Sequence, residues 1–378
     1  MRTPETAREG KDTSTVGELY IALELADKKW LVYAGDHARA PSHYTVAPGD
    51  LPALAKVVER AKARSGLQGK VIVRCCYEAG RDGFWLHRWL LAQGIDNIVV
   101  DSASIEVNRR RRRAKSDHLD GAKLLEMLMR FYGGEKRVWS VVHVPTPEAE
   151  DARRPQRELE RLNHERTAHT NRIGSLLVLH GIRVEHIGGR GWQPWWEEHR
   201  GELPPALRAE IERELARLAV VKTQIRAIER EQQKEVVAGL HPQVAQLAKL
   251  RAVGAVSAWV LSKELYAWRN FRNRRQVGSC LGLTPTPYHS GDTQSEQGIA
   301  KAGNKRARWV LVELAWCWVR YQPQSALAKW FNERFAHGGK RLRRIGIVAL
   351  ARRLAIALWR YLEYGEIPAG ASLKPAHG

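Results

Sequence analysis

Over residues 19–131, short apolar runs that suit strands alternate with amphipathic stretches that suit helices, and this order constrains the fold more than any other feature. Leu19 to Leu25 and Trp30 to Ala34 flank the polar tetrapeptide Ala26-Asp27-Lys28-Lys29, the pattern of two strands joined in a hairpin. A third short strand is predicted at 44–47. Apolar residues then recur at helical spacing over 51–63, with Asp50 as the N-cap. Residues 71–77 read as a buried strand that runs into Glu78-Ala79-Gly80. Asp82 is expected to cap a helix with Phe84, Trp85, Trp89 and Leu90 on its apolar side, stopping at Gly94. Residues 95–101 form a further strand, followed by a basic segment and a helix from about 116 to 131.

Strand, strand, strand, helix, strand, helix, strand, helix is the order of the ribonuclease H-like fold, a mixed sheet flanked by helices. Pro145 and Pro147 mark its end, which defines an α/β domain over 1–145. A charged helical spacer is predicted over 146–240, interrupted by Gly181 and a Gly/Trp-rich loop at 188–196. Its second helix is expected at about 205–237. There Leu207, Val221 and Ile228 share one seven-residue phase and Ile211, Leu218 and Ile225 the other. That repeat fits a coiled coil or helical hairpin, and equally an amphipathic helix packed on its own domain. From His241 to the end, 241–378, the chain reads as mainly helical. A helix-turn-helix at 247–265 pivots on Val253-Gly254, similar to a helix-hairpin-helix contact with a nucleic-acid backbone. Two long helices are expected at about 303–335 and 340–364.

The partner class follows from charge. The 378-residue chain carries a formal net charge of +21 and a pI near 10.1, which favours a polyanion because each neutralised phosphate releases counterions. No basic amphipathic helix with a clean apolar face offers itself to a membrane surface, no apolar stretch reaches transmembrane length, and the first fifteen residues are polar with no apolar core, so no secretory signal is expected there. Cys75, Cys76, Cys280 and Cys317 have no metal-ligand spacing and read as reduced thiols of a cytoplasmic protein.

Four acids and one serine carry the candidate chemistry. Glu24 lies on the first strand and Glu78 closes a later one. Asp117 and Asp120, in Lys115-Ser116-Asp117-His118-Leu119-Asp120, are three apart and so share a helix face. Carboxylates are the hard oxygen ligands that two Mg²⁺ ions require when they clamp a phosphodiester. Acids at such spacing also commonly face solvent. Asp27 in the hairpin turn rivals Glu24 as the first acid. Arg109, Arg110, Arg111, Arg112 and Arg113 stand just upstream of the acid pair with Lys115, suited either to a solvated loop or to a grip on phosphates. Ser290, in Tyr288-His289-Ser290-Gly291, is expected in a polar loop, where its hydroxyl is a candidate nucleophile toward phosphorus or a simple turn residue. Lys301, Lys305, Arg306 and Arg308 follow beside a Gly-Asn cap and read as a nucleic-acid clamp. Trp309, Trp316, Trp318 and Trp330 could stack on bases, although the seven-residue spacing of Trp309 and Trp316 favours core packing for those two. Together these residue types suit breakage and rejoining of DNA strands.

The chain resembles the DEDD-type insertion-sequence transposases along nearly its whole length. The resemblance is carried by Tyr77-Glu78-Ala79-Gly80, by the run from Lys115 to Asp120, and by Leu281-Gly282-Leu283-Thr284-Pro285, Tyr288-His289-Ser290-Gly291 and Ile299-Ala300-Lys301-Ala302-Gly303-Asn304. It implies a RuvC-like N-terminal domain joined through a coiled coil to a C-terminal transposase domain. Residue by residue, the family acids fall on Glu24, Glu78, Asp117 and Asp120 and the family serine on Ser290, with Ser295 and Ser279 nearby. The first acid is usually aspartate, and His118 stands where arginine is expected. The resemblance further implies Mg²⁺, a structured noncoding guide (bridge) RNA pairing with donor and target double-stranded DNA, dimers that join into a tetramer, and a composite site drawn from two protomers. A Holliday-junction resolvase and a catalytically degenerate nucleic-acid-binding protein are the alternatives to an RNA-guided recombinase.

Overall fold

The computed structural model describes residues 17–67, 70–105, 117–135, 137–290 and 293–375, with the backbone alone at 117–120, 286–290 and 293–297. The chain divides into two compact units that meet at Val144 and Pro145.

The first unit is a five-stranded mixed sheet. β1 (Gly17–Leu25) and β2 (Trp30–Gly35) pair antiparallel across the expected turn, and β3 (Ser42–Val46) adds to the outer edge of β2. The chain returns through α1 (Leu51–Ser65), whose Asp50 carboxylate accepts from the Ala53 amide at 2.9 Å, as its cap position demands. β4 (Val71–Glu78) then lies parallel to β1 and β5 (Asp96–Val100) parallel to β4, giving the order β3-β2-β1-β4-β5. Alternation along β1 splits the core in two. Leu19, Ile21 and Leu23 pack on one face with Leu54 of α1 and with Leu86 and Leu90 of α2 (Trp85–Ala92). Tyr20 and Ala22 pack on the other with Leu124, Leu125 and Leu128 of α3 (Asp117–Tyr132). Asp82 does not cap α2. Gly83 adopts a left-handed φ of 68°, so the backbone turns once more and the helix starts after Phe84 without a side-chain cap. Cys75 and Cys76 are buried free thiols.

The second unit is mainly helical. α4 (Pro147–Asp151) leads into α5 (Arg154–Val178), α6 (Trp192–His199) and α7 (Pro205–Val237). α5 and α7 form an antiparallel hairpin, pinned by Gln156 to Gln232 at 3.4 Å, His169 to Glu214 at 2.6 Å and Arg172 to Glu210 at 2.6 Å. Both phases of the α7 repeat contribute: Ile211, Leu218, Val221 and Ile225 are buried, and Leu207 and Ile228 partly so.

Beyond it lie α8 (Pro242–Ala248), α9 (Ala255–Leu261), α10 (Arg274–Cys280), the hairpin strands β6 (Pro285–Ser290) and β7 (Thr293–Ile299), α11 (Lys305–Tyr321), α12 (Ala326–Phe331) and α13 (Lys340–Tyr364). A wider helical turn, Ser262–Tyr266, extends α9. The turn at Val253-Gly254 is present but is occupied by the chain itself. Leu250 bridges Leu373, the Arg251 amide donates to Ser372 O at 3.1 Å, and Lys374 Nζ donates to Val253 O at 2.8 Å. The helix expected over 303–335 is broken at 322–325. Pro323 has no N–H and restricts Gln322, so α11 stops; Ser325 then caps α12 and also accepts from Trp318 Nε1 at 2.9 Å. Among the described residues no helix is long and apolar enough to cross a membrane.

Candidate nucleic-acid interface and acidic sheet edge

Register brings two of the four acids together. The parallel pairing of β1 and β4 ends at Leu23 with Tyr77, so Glu24 and Glu78 follow side by side on neighbouring strands. Both continue the face that carries Tyr20, Ala22 and Cys76, which α3 covers. Glu24 is half-buried with Oε2 shielded from solvent, whereas Glu78 is exposed. α3 is held close by glycine. A Cβ on Gly121 would stand 2.0 Å from the Tyr33 ring, and one on Gly35 would stand 2.9 Å from Met129 Cε. Tyr33 pairs with Ala22 and Gly35 with Tyr20, so α3 runs antiparallel to β1. The first turn of α3, with the backbone of Asp117 and Asp120, is therefore at the sheet end where Glu24 and Glu78 stand. The side chains of those aspartates lie outside the described residues, as do Arg109 to Arg113 and Lys115. Among the described residues no group of three or more His, Cys, Asp or Glu is gathered as metal ligands. Asp27 is engaged elsewhere: it is exposed in the turn and paired with Arg81, whose hydrogen bond and charge hold its carboxyl below the usual range.

Ser290 lies in a strand rather than in the expected loop. It is the last residue of β6, paired with Thr293, and Tyr288 pairs with Ser295. The base of this hairpin is fixed by backbone bonds: Ala300 N to Thr284 O at 2.9 Å, Lys301 N to Gly282 O at 3.1 Å and Asn304 N to Cys280 O at 3.0 Å. Two glycines make that approach possible. Gly282 at φ 60° would carry a Cβ 1.9 Å from Ala302 O, and Gly303 at φ 95° one 2.1 Å from Cys280 O. Asn304 caps α11 through the Ala307 amide at 3.0 Å, and Arg308 donates to Leu281 O at 2.8 Å. Arg308 is thus part of the lock, and Arg306 is paired with Glu160 at 2.6 Å, while Lys301 and Lys305 are exposed. Ser279 is exposed on α10.

Beside the hairpin base, α10 and α13 enclose a groove of about 1350 Å³. Along α13 it is lined by Arg341, Arg344, Arg352, Arg353 and Arg360. Arg274, Arg275, Lys301 and Lys340 complete the charge, and among the described residues no acid lines it. The opposite side of α13, through Ile347, Leu350, Leu354 and Leu358, is core. Burial, followed by the nearby charges of Arg334 and Arg352, lowers the Arg353 pKa. Trp330 is partly buried under Arg353, whose guanidinium stands 4.0 Å from the ring centroid. Trp309 and Trp316 are not core: they are 61% and 36% exposed. The core face of α11 is set by Ala307, Val310, Leu311, Leu314 and Trp318, and positions 309 and 316 fall on its far side.

The family described as Transposase IS116/IS110/IS902 matches residues 244–330, a span that holds the glycine lock and Ser290. A Sinorhizobium fredii protein named as a transposase, y4rJ, is 40% identical over 387 residues, covering 95% of both chains. The chain belongs to the IS116/IS110/IS902 family of transposases. The transposase is also 28% identical over 263 residues to the transposase for insertion sequence element IS1328 of Yersinia enterocolitica, covering 67% of this chain and 73% of the relative. With the transposase for insertion sequence element IS1111A of Coxiella burnetii it shares 24% identity over 313 residues, 79% of each chain. Family membership carries the cleavage and rejoining of DNA strands with it.

Two parts of the transposase escaped the sequence reading. The α13 arginines were one, although their recurrence along one side of a helix was a usable signal. Glu264 was the other. It is 1% exposed and accepts from Arg157 Nε at 2.7 Å, Arg157 Nη2 at 3.0 Å and Asn304 Nδ2 at 2.9 Å. Burial alone would raise its pKa, but the Arg157 and Asn304 hydrogen bonds outweigh burial and hold it below the usual value. Glu264 thereby ties α5 to the cap of α11 and so to the hairpin base.

Proposed function

We propose that this transposase is an RNA-guided recombinase that cuts and rejoins donor and target DNA with two half-sites, an acidic one on a ribonuclease H-like N-terminal domain and a serine one on the hairpin. The observation that carries this reading is the register that ends neighbouring strands in Glu24 and Glu78 on the face that α3 covers. The hard-oxygen donor set of Glu24, Glu78, Asp117 and Asp120 fits Mg²⁺ and would hold it. Bound there, the metal would neutralise phosphate charge and lower the pKa of a coordinated hydroxyl. Ser290 supplies the nucleophile. Its Oγ forms a bond to phosphorus, the bond from phosphorus to one deoxyribose oxygen breaks, and the serine proton is balanced by one taken up at the departing oxygen. One phosphodiester replaces another, so bond energy is conserved and a second deoxyribose hydroxyl can reverse the step on a new strand. Resealing in a new pairing passes through a Holliday junction.

The resemblance supports the remaining features: a noncoding bridge RNA that pairs with both DNAs, and dimers joining into a tetramer in which one protomer's acids meet another's serine. Arg109 to Arg113, Lys115, Lys301 and Lys305 grip phosphates in this reading. The test incubates the protein with RNA transcribed from the element's flanks, Mg²⁺ and junction DNA, and looks for a denaturation-resistant protein–DNA adduct. An adduct in the parent that is lost in both Ser290→Ala and Asp117→Ala is the expected result. Cleavage without an adduct would instead indicate a junction resolvase, and RNA binding without cleavage a degenerate protein. An adduct formed equally without RNA would remove the guide.

A further inference from the structure

The basic groove differs from an ordinary charged surface in what it lacks. Among the described residues its side chains are arginine, lysine and apolar residues, with no carboxylate, amide or hydroxyl among them. Among the described residues none of its nine cations is in an ion pair, and Arg353 has its pKa lowered by burial and by like charges. Such a wall calls for a polyanion. Ile345, Val348, Ile356 and Trp330 form an apolar strip between the cations, and Ile345 is 53% exposed. A duplex keeps its base faces stacked inside and offers only phosphates, sugars and base edges, so it would leave most of that strip in water. A single strand carries phosphates on one edge and unstacked base faces on the other, which suits both surfaces at once. Among the described residues the groove presents only donor side chains, so none there accepts a hydrogen bond from a base amino group or from a ribose 2′-hydroxyl.

We propose that this groove holds a single DNA strand without reading its sequence, and that it delivers the strand to the hairpin whose first strand ends in Ser290. That the strand is DNA rests on the recombinase reading above, because Pro285 and Ile299 at the hairpin base line the same groove. Specificity must then come from elsewhere in the complex, and the groove contributes affinity and path alone.

The test is equilibrium binding of the full chain, without Mg²⁺ or guide RNA, to fluorescein-labelled dT20, dC20, a mixed 20-mer, U20 and a blunt 20-base-pair duplex. The three DNA strands should bind within about threefold of one another and about tenfold more tightly than the duplex. Combined Arg341→Ala, Arg344→Ala and Arg360→Ala, all exposed on α13, should weaken dT20 about tenfold or more. It should also reduce the slope of log affinity against log salt by about two, since each single-strand contact contributes roughly 0.7. The charge-matched combination Arg213→Ala, Arg226→Ala and Arg230→Ala on α7 should leave both unchanged. Equal binding of duplex and single strand, equal loss in the two triple variants, tighter binding of U20, or displacement of dT20 by polyglutamate as readily as by DNA would each overturn the proposal. Ser290→Ala is expected to bind dT20 like the parent, so loss of the covalent adduct and loss of groove binding are separate results.

Discussion

The arginines of α5 and α11 and the arginines of α13 belong to one compact unit and do opposite things. Arg157, Arg306 and Arg308 are spent on Glu264, Glu160 and the Leu281 carbonyl, where they hold elements together. Arg341, Arg344, Arg352, Arg353 and Arg360 of α13 line a groove that holds no acid among its described residues. The difference teaches that a charge of +21 describes a partner class, whereas which cations meet the partner is decided by what each helix face already touches.

The comparison breaks most sharply at Arg157. Its loss leaves Glu264 buried with only Asn304 as a side-chain donor, and Arg157→Ala should cost about 3 kcal/mol in urea unfolding of the second unit. The pH dependence checks the cause. Glu264 has a lowered folded pKa, so its contribution is present above the unfolded value of about 4.3 and lost as pH falls through the folded value. In Arg157→Ala burial acts with weaker opposition and raises that pKa, so acid should relieve rather than deepen the instability.

Next come the glycines of the hairpin lock. Gly282→Ala or Gly303→Ala forces a Cβ into a carbonyl at a left-handed φ and should cost about 2 kcal/mol. Limited proteolysis should then cut first within 283–301, and adduct formation should fall. The α13 triple variant reverses the pattern: strand affinity falls about tenfold while the free energy of unfolding moves by less than about 0.5 kcal/mol. The smallest effect belongs to Arg306→Ala. Its pair with Glu160 is 45% and 41% exposed, so both stability and strand binding should change by no more than about 0.5 kcal/mol.

Much of the first unit was legible, because period-two apolar runs such as Leu19, Ile21 and Leu23 meet helices with clear starts such as Asp50. The order of strands and helices followed. α7 was legible for a similar reason, with its apolar repeat bounded by proline at its start and glycine soon after its end. What failed did so for identifiable causes. Asp82 looked like a cap until the turn at Gly83 moved the helix start. Ser290 looked like a loop residue because two prolines and short polar side chains hide a six-residue strand whose partner follows a two-residue gap. Trp309 and Trp316 share a face, but apolar neighbours at 307, 311, 314 and 318 claim the core. Glu264 had no local signal, since the residue that makes its burial tolerable lies 107 positions away. Of the acidic site, the shared sheet end of Glu24 and Glu78 follows from strand register. The approach of α3 depends on Gly121 against Tyr33, which no spacing announces.

The glycine lock also sets a mechanical tolerance. Five residue steps of extended chain separate Pro285 from Ser290, roughly 17 Å at about 3.3 Å per step. On an arm of that length a tilt of about 3° at the base moves the tip by about 1 Å, and a misplacement of about 1 Å can cost roughly a hundredfold in rate. Small rotations at Gly282 and Gly303 are therefore a gear between the helical body and the strand end at Ser290, and, if Ser290 is the nucleophile proposed above, a nucleic-acid strand that nudged the base would act as a throttle on its chemistry.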